Sequence, residues 1–156
     1  MMIFNCEIET SILDAAYAEA EADYPAESCG LILGCETQKR GTCFVPLRNH
    51  AGADSLHSFR VNELEYMNVV LKGRSTGLRP LAFFHSHPDA SPCLSKRDLA
   101  SHTIDGQLLF PGQIHVVASV VQGKRQSVQA YYYSPESQGI PGKENRLLSQ
   151  FIEVSS

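Results

Sequence analysis

Nowhere in this 156-residue sequence is there an apolar run of the roughly 20 residues that a membrane-spanning helix needs. The segment from Met1 to Glu7 also lacks the basic start and apolar centre of a secretory signal, so the expected location is the cytoplasm. Basic residues are in deficit, 13 Lys and Arg against 17 Asp and Glu, which leaves no cationic footprint for nucleic acid or a charged membrane surface. The five cysteines are an odd number with no C-x-x-C pair, which argues against both a disulfide framework and a thiolate zinc site. Cys6, Cys29, Cys35, Cys43 and Cys93 are expected to be mostly reduced core residues, with Cys29 the one to watch because it follows Glu27 closely. H-E-x-x-H is absent, which excludes the classical zinc proteases, and there is no internal repeat.

What is present fits one domain with a continuous core, at 43% hydrophobic residues. Residues 2–8 alternate as a first strand. Thr10 and Ser11 can cap a helix with Ile12, Leu13, Ala16, Tyr17 and Ala20 on one face, and Pro25 stops it. Residues 28–35 read as a buried strand, and residues 42–47 return beside it. A polar loop follows over 48–58, whose His50 and His57 are read as exposed and without a task. Asn62 caps a helix to about Gly73, with Leu64, Met67, Val70 and Leu71 expected on its inner face. Residues 114–121 and 127–133 form a hairpin about Gly123 and Lys124, with His115 a structural strand residue. A linker leads to a last helix with Leu147, Leu148, Phe151 and Ile152 on one stripe. Strands mixed with about three helices give an α/β (α+β) class, a mainly antiparallel mixed sheet with helices packed on it.

The chemistry is concentrated between His85 and Asp98. The aromatic run over residues 81–84 is of strand type, and period-two alternation sends His85 and His87 to the same side of it. Pro88 ends the strand and residues 89–92 are turn chemistry. Ser95 to Asp98 then reads as a helix start that folds Asp98 back towards the strand end. Two imidazoles and a carboxylate suit zinc and leave a fourth tetrahedral position open, as catalytic zinc requires. His-x-His on a strand and Ser-x-x-Asp at a helix start are each common alone. Their combination at this spacing is not.

The pattern His-x-His-Pro, six residues, then Ser-x-x-Asp resembles the signature of the JAMM (MPN+) metalloprotease family, filled here by His85, His87, Pro88, Ser95 and Asp98. Residues 24–34 resemble the family segment that carries an upstream catalytic glutamate, which falls on Glu27. A carboxylate at the mouth of the most apolar strand also calls for a reason on physical grounds, and a general base supplies one. The resemblance implies an α/β/α MPN fold, with residues 1–134 as the metalloprotease domain and 135–156 as a linker and C-terminal helix docked on it. It implies one catalytic zinc on His85, His87 and Asp98, Glu27 as general base, and Ser95 as donor to the oxyanion. The implied activity is that of an isopeptidase or peptidase cutting after the Gly-Gly tail of a ubiquitin-like protein, a sulfur carrier or a bacterial conjugate, as in the compact bacterial group. The tail is expected to add as a strand near Phe59, Arg60 and Val61. Oligomeric state is left open. The alternative is a non-catalytic MPN scaffold binding a ubiquitin-like partner, against which the complete ligand set stands. A zinc nucleobase deaminase is rejected, because Lys96 occupies the place of its second Cys and no H-x-E precedes it.

Overall fold

Apolar residues in alternation, and apolar residues at helical spacing, resolve here into one mixed sheet with a helix against each face. The computed structural model describes residues 6–94, 98, 103–104, 107–108, 114–132, 146–147 and 152–155. Within them the order is β1 (Cys6–Glu9), α1 (Thr10–Asp23), β2 (Cys29–Cys35), β3 (Arg40–Leu47), α2 (Glu63–Ser75) and β4 (Arg79–Pro88). Then come β5 (Thr103–Ile104), β6 (Gln107–Leu108), β7 (Ile114–Val121), β8 (Lys124–Tyr132), β9 (Arg146–Leu147) and β10 (Ile152–Ser155). The eight-stranded sheet runs β10-β1-β3-β2-β4-β7-β8-β9, with β5 and β6 as a separate antiparallel pair. Four of its seven pairings are antiparallel; β1 with β10, β1 with β3 and β4 with β7 are parallel. No described helix is long and apolar enough to cross a membrane.

β2, β4 and β7 are buried almost throughout because both faces of the sheet centre are covered. On one face Ile32, Ala82, Phe84, Val116 and Ala118 pack with Ala16, Tyr17 and Ala20 of α1. On the other, Leu31, Leu33 and Phe83 pack with Phe59 and with Tyr66 and Val69 of α2. The second face carries the histidines: Cys29 lies opposite His85, which lies opposite Val117, and His87 lies opposite Ser119.

The structure corrects the sequence reading at several points. The cap of α1 is Glu9, without a side-chain cap bond, and Thr10 is already the first helical residue. Asn62 caps α2 as expected, its Oδ1 accepting from the Glu65 N–H at 3.0 Å. The inner face of α2, however, is Tyr66, Val69 and Gly73; Leu64, Met67 and Leu71 are 70%, 46% and 53% exposed. This helix has two apolar stripes, and close approach decides between them. A Cβ at Gly73 would stand 3.0 Å from Leu33 Cδ1, while Glu65 is drawn to the loop by the Arg48 N–H and by His50.

At the C-terminus the described parts of the expected helix are strands. Arg146–Leu147 pairs with β8 and Ile152–Ser155 with β1. Sheet edges present unpaired backbone N–H and C=O groups, and strand addition satisfies them where a helix would leave them bare. Residues 135–145, Leu148 and Phe151 lie outside the described residues, as do Pro111 and Gly112 and the turn expected at Asp105 and Gly106.

Candidate metal centre

β4 holds His85 and His87 rigidly, because its central residues are hydrogen-bonded to β2 on one side and β7 on the other. The two rings project together, with their Nε2 atoms 3.2 Å apart. Asp98, which is helical, closes the group: Oδ2 lies 3.0 Å from His87 Nε2 and Oδ1 lies 3.4 Å from His85 Nε2. One ligand atom from each of the three falls within 4.8 Å of the others, and all three residues are buried.

His87 Nδ1 donates to the Ser91 carbonyl at 2.8 Å. That bond fixes the ring and directs Nε2 to the cluster, as the outer partners of metal-ligating histidines do. The turn bearing this carbonyl is itself fastened to the sheet, by Ser119 Oγ donating to the Ala90 carbonyl (2.6 Å) and Tyr131 OH to that of Pro92 (3.1 Å). Burial lowers the His85 pKa against the pull of Asp98, keeping the ring neutral, which is the ligating form. At His87 burial acts in the same direction, but the bond and charge of Asp98, the Ser91 carbonyl and Glu27 outweigh it and raise the pKa. Two buried imidazoles and a carboxylate at this separation could hold a metal ion, and zinc fits the donor set.

Glu27 stands at the mouth of β2, only 4% exposed. It lines a cleft of about 470 Å³ together with His87 and Asp98, and Leu56, His57 and Cys93 form other parts of the wall. Its backbone is held twice by the loop that follows β3, the N–H donating to the Ser55 carbonyl (2.7 Å) and the carbonyl accepting from Asn49 Nδ2 (3.0 Å). Behind the ligands, Phe59 lies 4.8 Å from the His85 ring and 5.3 Å from Phe83, centre to centre.

Four residues singled out from the sequence, Glu27, His85, His87 and Asp98, therefore converge. Ser95 lies outside the described residues. His115 is a buried strand residue, as expected, with its pKa lowered to about 3 by burial and then by His85. Cys29 does not line the cleft. Its thiol is buried and reaches the Leu47 carbonyl at 3.6 Å, and burial pushes its pKa up to about 12. Cys29, Cys35, Cys43 and Cys93 are free thiols; of these four only Cys29 is fully buried, and Cys93 is exposed. Phe59 to Val61 is not a strand, and Arg60 has both backbone groups committed, its N–H to Asn49 and its carbonyl to His50 N–H. The sequence reading missed His57 in the cleft wall and His50 beside Glu65 at 3.3 Å, since a histidine in a polar loop carries no spacing signal.

Residues 9–131 match the prokaryotic homologs of the JAB domain. A desampylase from Haloferax volcanii is 28% identical over 109 residues, 70% of this chain and 73% of the relative. A CysO-cysteine peptidase from Mycobacterium tuberculosis is 22% identical over 129 residues, 83% of each. Among solved structures, a JAB1/MPN domain protein from Archaeoglobus fulgidus superposes with a TM-score of 0.58 at 18% identity, over 96% of this chain and 99% of that one.

Proposed function

Because the chain belongs to the prokaryotic homologs of the JAB domain, we propose that it is a zinc-dependent peptidase or isopeptidase that cuts after the Gly-Gly tail of a ubiquitin-like protein. The observation that carries this reading is the cluster of His85, His87 and Asp98 beside a cleft that the buried Glu27 lines together with His87 and Asp98. The names of the relatives, a desampylase and a CysO-cysteine peptidase, support hydrolysis at a protein of that kind.

His85, His87 and Asp98 would hold the metal. Zinc so bound polarises a carbonyl and brings the pKa of water to about 7. Glu27 takes a proton from the attacking water and passes it to the leaving amine. Its nearly complete burial keeps other water from diluting that transfer. Ser95 donates its hydroxyl to the oxygen on which charge develops. Glycine at both positions before the cut lets the carbonyl approach closely where any side chain would meet the cleft wall.

The test is a bacterial ubiquitin-like protein fused to a reporter through Gly-Gly, beside the same fusion with Ala-Ala, read by intact mass. Cleavage after the second glycine, and little with Ala-Ala, is expected. Glu27→Gln should keep its zinc by elemental analysis and lose activity by roughly 10²–10⁴-fold, whereas His85→Ala with His87→Ala should lose the zinc. Equal cleavage of both fusions defeats the tail specificity. Full activity in Glu27→Gln with zinc retained defeats the role of the base.

A further inference from the structure

The polar loop over residues 49–58 is tied to Glu27 by more than proximity. A backbone N–H and a backbone carbonyl are all that a residue has for fixing its main chain, and Glu27 commits both to this loop. Asn49 is the centre of the arrangement. Its Nδ2 donates to the carbonyls of Glu27 (3.0 Å) and Ser58 (3.1 Å). Its Oδ1 accepts from the N–H groups of Ala51 (2.9 Å) and Arg60 (3.1 Å). An asparagine amide has two donors and two lone pairs, and here all four are used. The loop closed in this way contains Leu56 and His57, which form part of the cleft wall, while Asn49 itself does not line the cleft.

We propose that Asn49 is a positioning residue, which ties the main chain of Glu27 to the loop after β3 and holds the base and the cleft wall as one unit. The proposal rests on the reading of Glu27 as general base. A single amide suits this task because it spans three segments at once: the entry to β2, the loop, and the approach to α2. With Asn49 removed, Glu27 keeps only the Ser55 contact at its main chain, and the carboxylate can wander by an ångström relative to the ligands. Displacements of that size at reacting groups cost up to about 10²-fold in rate.

The experiment is a double-mutant cycle in the full chain, with the Gly-Gly fusion as substrate and kcat, KM, zinc content and melting temperature measured together. Asn49→Ala is expected to lower kcat by roughly 10–10²-fold with zinc retained and KM little changed. In the Glu27→Gln background the same substitution should change the residual kcat by no more than about two-fold, because the group it positions is gone. Asn62→Ala, which removes the α2 cap and so lowers the melting temperature, should leave kcat unchanged. If Asn49→Ala does not fold, Asn49→Ser carries the same test, since it keeps a small polar side chain but is too short to bond the Glu27 and Ser58 carbonyls and the Ala51 and Arg60 N–H groups together. Equal losses in both backgrounds, or a lower melting temperature with full kcat, overturn the proposal while Glu27→Gln remains inactive. Full activity of Glu27→Gln removes the base reading first, and the proposal with it.

Discussion

Three buried histidines within 31 positions of one another are held in different electrical states, each by what surrounds it. His85 is neutral because burial outweighs Asp98, and His87 favours its proton because Asp98, Ser91 and Glu27 outweigh burial. At His115 burial and then His85 outweigh the opposing charge of Asp98, and the pKa falls from 6.5 to about 3. The sign of the pH dependence follows. Below pH 6.5 the unfolded chain takes up a proton at this position that the folded protein refuses until about pH 3, so stability is full above that window and falls as the solution becomes more acid. One such group contributes about 1.4 kcal/mol per pH unit within it. In urea unfolding of chelator-treated protein, the wild type should lose stability between pH 7 and pH 5, and His115→Phe should lose visibly less. Parallel losses in the two proteins would mean that His115 is protonated in the folded state.

At the scale of elements, glycine in β2 offers the sharpest contrast. A Cβ at Gly34 would stand 1.8 Å from the Arg40 carbonyl oxygen, at the register shift between β2 and β3. Gly77, with φ near +80°, has nothing within 4 Å. Gly34→Ala should therefore cost about 1–3 kcal/mol through backbone crowding, and Gly77→Ala about 1 kcal/mol through its left-handed conformation alone; urea midpoints rank the two. The legibility of the sequence followed the same division between local and distant causes. The β7–β8 hairpin was readable through Gly123, which meets the local demand for positive φ, but the turn is Gln122 and Gly123, and Lys124, expected in the turn, already pairs with Val121 as the first residue of β8. The cluster of His85, His87 and Asp98 was readable because its members lie close in sequence, two on one strand and the third at a helical position after the turn that follows it. The orientation of α2 was not, since both of its apolar stripes satisfy the helical period and only contacts with Leu33 and the loop choose between them. The strands at the two sheet edges were hidden for a related reason: pairing of β10 with β1 joins residues at opposite ends of the chain. Asn49 gave no signal at all, because its importance lies in a carbonyl 22 residues away.

For the molecule as a whole, the order of strands places the chemistry where two sets of neighbours meet. β4 is central, with β2 antiparallel on one side and parallel β7 on the other, so that residues 82–85 have a partner on both sides. Glu27 arrives from the entry to β2, and the loop after β3 is bonded to its main chain. Amide hydrogens of residues 82–85 can meet solvent deuterium only when the sheet comes apart, so they should exchange at the slow limit set by global unfolding. Amides of residues 49–58 are secured by a single side chain and a few turns, and open locally. Exchange followed by mass spectrometry should show the histidine strand as the last segment to label and this loop among the first of the described segments, with Asn49→Ala speeding only the loop. The strand that carries His85 and His87 and the loop that carries Leu56 and His57 then open on different timescales, so that the cleft wall can move while the histidine pair stays in place.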